Sequence, residues 1–389
     1  MNENRAILKK GKDKPVKNRH HWIFSGAIKH LPDFENGSVL DIYSAENEFL
    51  GQGYFNKKTS IAARMISFDD RPVGGVIKEN ILKAIECRSK FFNKDTNAYR
   101  LVNGEGDFLP GLIVDKYNGV LVVQISTLGM EKLKNIVIDI LVDALRPECI
   151  YEKSDIPSRR QEGMDDYTAV LYGQLPDALE ILENGLRFII DIKNCQKTGF
   201  FLDQRETRNL TGAFAKNKKV LNCFSYTGAF SVYALKGAAV SVDSVDEQKS
   251  VLELAKKNLQ LNGFDADTNK FYAADVFEFL RRDIPAYDFI ILDPPAFAKR
   301  KTDVVAACRG YKDINRLAMQ NISAGGLLLT CSCSFFVNEG LFQKVIFEAA
   351  KDAGRNARII QKHRLAYDHP INIYHPEGDY LKSFLLYID

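Results

Sequence analysis

The sequence lacks long apolar runs and paired cysteine motifs. None of its apolar stretches reaches the roughly 18 residues of a membrane helix, so we expect no membrane contact. Its seven cysteines are an odd number, and none lies in a C-x-x-C pair, which argues against a disulfide scaffold and a zinc site. No apolar signal core follows the N-terminus. We therefore expect a cytoplasmic protein with reduced thiols and no metal.

The sequence also has little excess charge. A net charge of +3 in 389 residues does not by itself indicate a nucleic-acid partner. Positive residues nevertheless crowd the segment from Lys9 to Arg19, and Trp22 and Phe24 follow it. The basic run can meet phosphates, although a solvated terminus explains the charge equally well. The aromatic rings can stack on bases, but burial in the core is the commoner position for Trp and Phe.

Internal repeats and low-complexity tracts are absent from the sequence, and its patterns predict three domains. Residues 1–72 contain short alternating stretches separated by glycines, which indicates a small β-barrel. Residues 75–175 combine helical spacing with a hairpin signal at Asn118-Gly119, typical of an α+β domain. Residues 176–389 alternate strand and helix, as a doubly wound Rossmann-like sheet does. The predicted fold class is therefore α/β with two preceding domains.

A buried strand that ends in an acid and two prolines carries the strongest functional signal. Ile290-Ile291-Leu292 runs into Asp293-Pro294-Pro295, and proline stops a strand because it lacks the ladder N–H. Open α/β sheets bind ligands at this carboxyl end. A strand followed by D-P-P-x-F resembles the substrate-base loop of class I methyltransferases, which use S-adenosylmethionine (SAM).

Two further acids end neighbouring strands. Asp246 follows a first strand-turn-helix unit by about 20 residues, the usual position for an acid that holds ribose hydroxyls. Asp275 ends the next strand and could accept from an adenine amino group. Asp243 is a rival that lies mid-strand, and each acid could instead cap a helix. In the first turn, Gly228 allows close approach of a ligand, but a G-x-G-x-x-G fingerprint is missing, so a phosphate cradle is disfavoured.

The segment Lys197–Arg205 offers a second set of ligand contacts. Arg205 could fork onto a carboxylate such as that of methionine, and Phe200 could pack on an adenine. Taken by itself, the segment is explained better as a simple helix start.

A cysteine lies near the end of the strand after Gly325-Gly326. Cys331 and Cys333 share one strand face, and Cys333 is nearer to the carboxyl end. A thiolate there could add to carbon 6 of a pyrimidine and make carbon 5 nucleophilic, with Asp293 hydrogen-bonded to the base. Buried free cysteine is the commoner role, and we assign it to Cys87, Cys149, Cys195, Cys223 and Cys331.

Together these residues resemble the bacterial and archaeal ribosomal RNA cytosine-5 methyltransferases that join a PUA domain, a central α+β domain and a Rossmann-like domain. The resemblance covers nearly the whole chain. It rests on these segments: Arg19–Gly26, Glu105–Leu112, Arg159–Gly163, Lys197–Arg205, Asn222–Gly228, Asp293–Phe297, Cys308–Asn315, Ser332–Ser334 and Asp368–Pro370. It implies large-subunit ribosomal RNA as partner, SAM as cofactor, and RNA or active-site loop roles for Arg309, Tyr311 and Lys312.

The resemblance also assigns the site. Cys333 and Asp293 are the expected catalytic residues. The expected cofactor-binding residues are Phe200, Gln204, Arg205, Asn222, Phe224, Thr227, Gly228, Asp246, Asp275, Val276 and Asp293. Ala296 and Cys331 depart from the family, which often has lysine and phenylalanine there. The alternatives are a guanine N7 methyltransferase that needs no thiol and a catalytically inactive RNA-binding assembly factor; a homodimer is left open.

Overall fold

The computed structural model describes residues 4–195 and 197–389, so the first three residues of the predicted N-terminal domain lie outside the described residues. The chain divides into two compact units. The first runs through Ile181 and includes Ile190–Phe200 and Asp368–Gly378. The second comprises Leu182–Ile189, Phe201–Tyr367 and Asp379–Asp389. The three predicted domain boundaries stay predictions.

The first unit begins with a sheet of six described strands. Its elements are β1 (Arg5–Leu8), α1 (Lys14–Lys17), β2 (Trp22–Phe24), β3 (Ile28–His30), β4 (Val39–Tyr43), β5 (Phe49–Phe55) and β6 (Ile61–Ser67), in the sheet order β2-β6-β5-β4-β1-β3. Alternate residues of β4 are buried, and Ile42 packs with Phe55 and Met65 in the core. The β character predicted from the alternating stretches is confirmed.

A second sheet in the same unit has the order β11-β10-β9-β8-β7. Its elements are α2 (Val73–Ser89), β7 (Ala98–Asn103), β8 (Leu112–Tyr117), β9 (Val120–Ile125), α3 (Leu128–Lys132), α4 (Lys134–Leu145), β10 (Cys149–Ser154), α5 (Pro157–Glu162) and β11 (Tyr167–Gly173). The predicted hairpin is confirmed, since Tyr117 pairs with Val120 across a turn in which Asn118 has a φ of 56°. Two further strands, β12 (Leu179–Glu183) and β13 (Leu186–Ile190), form a two-stranded sheet.

The second unit is built on a sheet of seven described strands. Its elements are α6 (Arg205–Phe214), β14 (Lys219–Cys223), α7 (Ala229–Lys236), β15 (Ser241–Asp246), α8 (Lys249–Leu261), β16 (Phe271–Ala273), α9 (Val276–Arg281), β17 (Tyr287–Leu292), α10 (Val304–Gln320), β18 (Ile322–Ser332), α11 (Glu339–Ala353), β19 (Ala357–His363) and β20 (Lys382–Ile388). Their order is β16-β15-β14-β17-β18-β20-β19. Only β20 runs antiparallel to its neighbours, and the other pairs are parallel. The predicted Rossmann-like α/β architecture is confirmed.

The strand order of this sheet determines where a ligand can bind. From β14 the chain adds β15 and β16 on one side, then returns to place β17 on the other side of β14. Open α/β sheets bind their ligands at such a reversal, beyond the carboxyl ends of the strands. Phe289 to Leu292 of β17 are fully buried, as expected for a strand covered on both faces. The crevice therefore opens where β14 and β17 end.

Candidate active site

The carboxyl ends of the parallel strands bring most of the predicted site residues to one edge. Cys223 pairs with both Val245 and Leu292, and Leu292 pairs with Thr330. The residues that follow these positions, including Phe224, Asp246, Asp293 and Cys331, consequently emerge at the same level of the sheet. The parallel pairing of these strands therefore places the four residues at one edge of the sheet.

The loop between β14 and α7 has a strained backbone. Phe224, Tyr226 and Gly228 have φ angles of 58°, 46° and 77°, in the left-handed region that most residues avoid. The loop is held by the N–H of Ser225, which donates to Val245 O over 3.0 Å, and by Asn258 Nδ2, which donates to Thr227 O over 2.9 Å. Three alternating left-handed residues in a held loop fit a binding site in which strain is stored.

Gly228 serves helix packing as well as the loop. A Cβ at this position would lie 2.8 Å from the Cβ of Ala255 in α8, closer than two carbon atoms can pack. The glycine therefore lets α7 and α8 approach each other, in addition to supplying the left-handed φ. The sequence argument, which considered only close approach of a ligand, missed this function.

Asp246 fixes the loop from the neighbouring strand. Its Oδ2 accepts from the N–H of Tyr226 and its Oδ1 from the N–H of Gln248, each over 3.0 Å. Both carboxylate oxygens keep further lone pairs, which a vicinal diol can occupy. The rival Asp243 instead accepts from the hydroxyl of Tyr287 over 2.7 Å, a contact within the sheet.

Asp275 performs the capping function that the sequence also allowed. Its Oδ1 accepts from the N–H of Glu278 over 2.8 Å at the start of α9, and Val276 is the buried first residue of that helix. The cap occupies one oxygen, so recognition of an adenine would fall to the other. The roles of Asp275 and Val276 at a cofactor stay predictions.

Asp293 is held by Gln204, the residue directly before α6. Gln204 Nε2 donates to Asp293 Oδ1 over 2.7 Å, and Gln204 is 3% exposed. The structure thus gives Gln204 a contact with the proposed catalytic carboxylate that the sequence analysis did not foresee. No local signal could have revealed it, because the two residues are 89 positions apart.

Arg205 lies in a buried ion cluster. Its Nε is 3.7 Å from Oε2 of Glu183, and Arg208 donates two hydrogen bonds, of 2.8 and 2.6 Å, to the same carboxylate. This partner differs from the methionine carboxylate that the sequence suggested, so a role of Arg205 in cofactor binding stays a prediction. Phe200 belongs to the first unit, where its N–H donates to the hydroxyl of Tyr117 over 3.0 Å, and its predicted contact with adenine is likewise untested.

Cys333 lies beside the D-P-P segment. Its Sγ is 3.8 Å from the carbonyl oxygen of Pro294, the residue after Asp293. The next residue, Ser334, is fully buried and is held by the Tyr311 hydroxyl at 2.9 Å and by the N–H of Ala298 at 3.1 Å. The half-buried thiol therefore emerges from a turn whose position is fixed.

Burial disfavours the thiolate form of several other cysteines. All seven cysteines are described and carry free thiols. Burial raises the pKa of Cys331 well above its usual range, and the nearby Asp293 carboxylate adds to this effect. Burial also raises the pKa of Cys223, Cys195 and Cys308. A neutral thiol reacts slowly, so Cys331, Cys223 and Cys195 fit the structural role assigned to them.

One group of donor atoms among the described residues approaches metal-binding spacing. The ligand atoms of His20, His375 and Glu377 all lie within 4.8 Å of one another in the first unit. However, His20 Nδ1 accepts from the N–H of Trp22, so the neutral ring carries its proton on Nε2 and donates it to Glu377 over 3.2 Å. A metal ion could bind Nε2 only if this nitrogen lost its proton, because a metal needs the nitrogen lone pair. We interpret the group as a hydrogen-bonded cluster.

The chain matches the models of two known domain families. Residues 151–357, more than half of the chain, match the model of the S-adenosylmethionine-dependent methyltransferases, and residues 6–68 match a PUA-like domain. The chain belongs to the SAM-dependent methyltransferase family. This assignment confirms the predicted enzyme class, the cofactor and the PUA-like N-terminal domain.

Similar proteins extend over nearly the full length of this methyltransferase. Proteins named ribosomal RNA large subunit methyltransferase I from Aliivibrio fischeri and Escherichia coli are 42% identical over 386 residues and 41% identical over 389 residues, respectively. The alignments cover 97% of both chains in the first case and 98% in the second.

Two solved structures have the same fold over the whole chain. A Streptococcus mutans protein classed as a SAM-dependent methyltransferase has a TM-score of 0.85 and 26% identity. A methyltransferase complexed with S-adenosylhomocysteine (SAH) has a TM-score of 0.86 and 27% identity. Each match covers 98% of this chain and 99% of the other.

The residues of the methyltransferase unit fit SAM. The hydroxyls of Ser225 and Thr227 and Oδ1 of Asn222 are buried and have no hydrogen-bond partner among the described residues. Buried polar atoms without partners cost free energy, so a polar ligand at the strained loop would stabilise the site by hydrogen bonding to these atoms. The Asn222 amide nitrogen donates to Ser231 over 2.9 Å, so the unpartnered oxygen of this side chain is the atom that a ligand would satisfy. Among the described residues, none of the helices combines the length and the apolar composition of a membrane span.

Proposed function

We propose that this methyltransferase forms 5-methylcytosine in large-subunit ribosomal RNA through a covalent adduct with Cys333. The observation that carries the proposal is the 3.8 Å contact between Cys333 Sγ and Pro294 O, which brings the thiol beside the D-P-P loop. The names of the relatives that align over the full length support ribosomal RNA as the substrate. With that substrate, we expect the reaction to take place in the cytoplasm.

The chemistry follows from the two side chains. The Cys333 thiolate adds to carbon 6 of cytosine, and the electrons of the 5,6 double bond make carbon 5 nucleophilic. Bound SAM supplies the methyl group as an electrophile. Asp293 accepts from the 4-amino group and, when protonated, donates to N3. A base then removes the proton from carbon 5, the double bond re-forms, and the thiolate leaves.

Exposed residues offer surface for RNA in each unit. Lys10, Lys12 and Lys14 are exposed, whereas Lys17 is paired with Asp13 and Glu48. The side chain of Phe24 is 52% exposed, but Trp22 donates to Glu105 over 2.8 Å and packs on His375, so Phe24 is the better stacking residue.

In the second unit, the Phe335 and Phe336 rings are exposed two and three residues after the thiol. Extruding a cytosine from the RNA stack leaves a gap that such rings can fill. The predicted RNA-contact role of Tyr311 is less suitable, because this residue is fully buried and supports Ser334. The homodimer stays a prediction.

The deciding experiment uses RNA that contains 5-fluorocytosine, whose carbon 5 carries no removable proton. We expect wild type to form a protein–RNA adduct that resists denaturing gel electrophoresis, and Cys333→Ala to form none. Cys331→Ala is the matched control and should retain the adduct. Methylation at wild-type rate by Cys333→Ala would refute the covalent mechanism and favour guanine N7 transfer. RNA binding without methyl transfer by wild type would indicate an assembly factor.

A further inference from the structure

A buried lysine lies directly behind the turn that carries Cys333. Lys382 is the first residue of β20 and pairs in register with Ser332 of β18. It is 4% exposed. Its Nζ donates to the carbonyl oxygens of Ser334 and Tyr380, each over 2.7 Å. One of these bonds thus holds the residue immediately after the proposed nucleophile.

The charge environment of this lysine is unusual. Within the described part of the chain, both hydrogen-bond acceptors of Nζ are neutral carbonyls, and no carboxylate lies within ion-pair distance. Burial lowers the pKa of Lys382 to about 8, while the nearby Cys333 raises it and Arg364 lowers it further. A buried lysine without an acid partner is a costly feature that proteins retain chiefly at functional sites.

The other groups around the thiol do not supply a comparable positive charge. Asp293, on the loop after β17, opposes formation of a second negative charge. Burial raises the pKa of both Cys331 and Tyr311, so these two groups stay neutral. Arg364, which acts on Lys382, is half-exposed and paired with Asp379 and Glu339, so its field is screened.

We propose that Lys382 is a positioning residue that stabilises the thiolate of Cys333 and holds its turn in the reactive conformation. The inference rests on the proposed function of Cys333 as the nucleophile. Forming the thiolate releases one proton to solvent, and the ammonium keeps its protons and balances the new negative charge. The hydrogen bond to Ser334 O keeps that charge close to the thiol, where the surrounding protein weakens screening by water.

The test measures how the reactivity of the Cys333 thiol depends on pH, in the full chain without RNA or SAM. The rate of alkylation by iodoacetamide is followed against pH by mass spectrometry of the peptide that contains Cys333. Lys382→Gln removes the charge but can still donate to Ser334 O. We expect it to raise the apparent pKa of the thiol by about one unit and Lys382→Arg to preserve most of the wild-type value. Equal apparent pKa values in wild type and Lys382→Gln would overturn the proposal.

Two controls and a reciprocal measurement complete the test. Lys344→Met, at an exposed position of α11, should leave the profile of Cys333 unchanged, and half-buried Cys308 serves as an internal reference. If Lys382→Gln does not fold, the pKa of Lys382 is measured by NMR in wild type and in Cys333→Ala. Because coupling between two sites is reciprocal, the pKa of Lys382 should be lower in Cys333→Ala, and identical values would refute the coupling. Neither readout uses RNA, so a failure of the cytosine-5 proposal is seen separately in the adduct assay.

Discussion

Gln204 and Asp293 form a 2.7 Å hydrogen bond that joins the helical segment before α6 to the loop after β17. A carboxylate that must meet a base in one orientation gains from such a partner, because the bond fixes the rotation of the carboxyl group. The orientation of the Asp293 carboxylate therefore depends on a distant segment of the second unit as well as on its own loop.

Replacing Gln204 by leucine should slow methyl transfer by about tenfold, because Asp293 loses a charge-assisted hydrogen bond. The change keeps a similar volume, so we expect a smaller effect on the free energy of unfolding than on the activation free energy of methyl transfer. Single-turnover transfer of a labelled methyl group measures the effect. Gln260→Leu, at an exposed position of α8, is the control. Transfer at wild-type rate by Gln204→Leu would show that the bond is dispensable.

Replacing Asp246 by asparagine should weaken SAH binding by about 10- to 100-fold, since hydrogen bonds to a charged group contribute about 1.5–3 kcal/mol each. Calorimetric titration with SAH measures the affinity. Asp243→Asn is the matched control on the same strand: it alters the bond with Tyr287 and should leave the affinity unchanged. The reverse result would identify Asp243 as the ribose ligand.

Gly228→Ala should destabilise the protein by about 1–3 kcal/mol, because alanine would have a left-handed φ and its Cβ would clash with Ala255. SAH binding should weaken as well, since the loop ends at this residue and α7 begins directly after it. Gly340→Ala is the opposite case. A Cβ there, on the first turn of α11, finds its nearest neighbour at 3.7 Å in Oδ1 of the N-cap residue Asn338, so a gain of about 0.5–1 kcal/mol is expected. Denaturant unfolding compares the two variants, and equal effects would refute the argument.

His21 should contribute to the loss of stability in acid. Burial lowers its pKa from 6.5 to about 3, and His375, His20 and Arg19 add to the shift. Between pH 6.5 and 3, His21 binds a proton in the unfolded chain but stays neutral in the folded chain. Its contribution to the free energy of unfolding is therefore complete above about pH 6.5 and declines as the pH falls toward 3. Unfolding midpoints of His21→Phe between pH 4 and 7 should therefore vary less than those of wild type. His30→Phe, at an exposed position, should follow wild type.

Much of the fold was readable from local patterns. Asn118-Gly119 predicted its hairpin because few residue pairs suit a tight turn. The pattern of residues 248–261 predicts a helix, and α8 occupies Lys249–Leu261. The pattern of residues 131–145 predicts a single helix, whereas the structure has two helices, α3 and α4, on either side of Leu133. That break was not predictable, because the apolar spacing continues across it and only the contacts of the folded chain distinguish the two helices.

The sequence alone determined the family, the alternation of strands and helices, and the acids and thiol that end the strands, since these depend on residue type and on spacing along the chain. Tertiary structure decided which of these groups meet: Gln204 with Asp293, Lys382 with Ser334, and Gly228 with Ala255. These partners lie far apart in the chain, and strand order and helix packing bring them together. Hydrogen bonding and electrostatic coupling act through space, and so they depend on a geometry that one-dimensional spacing does not contain.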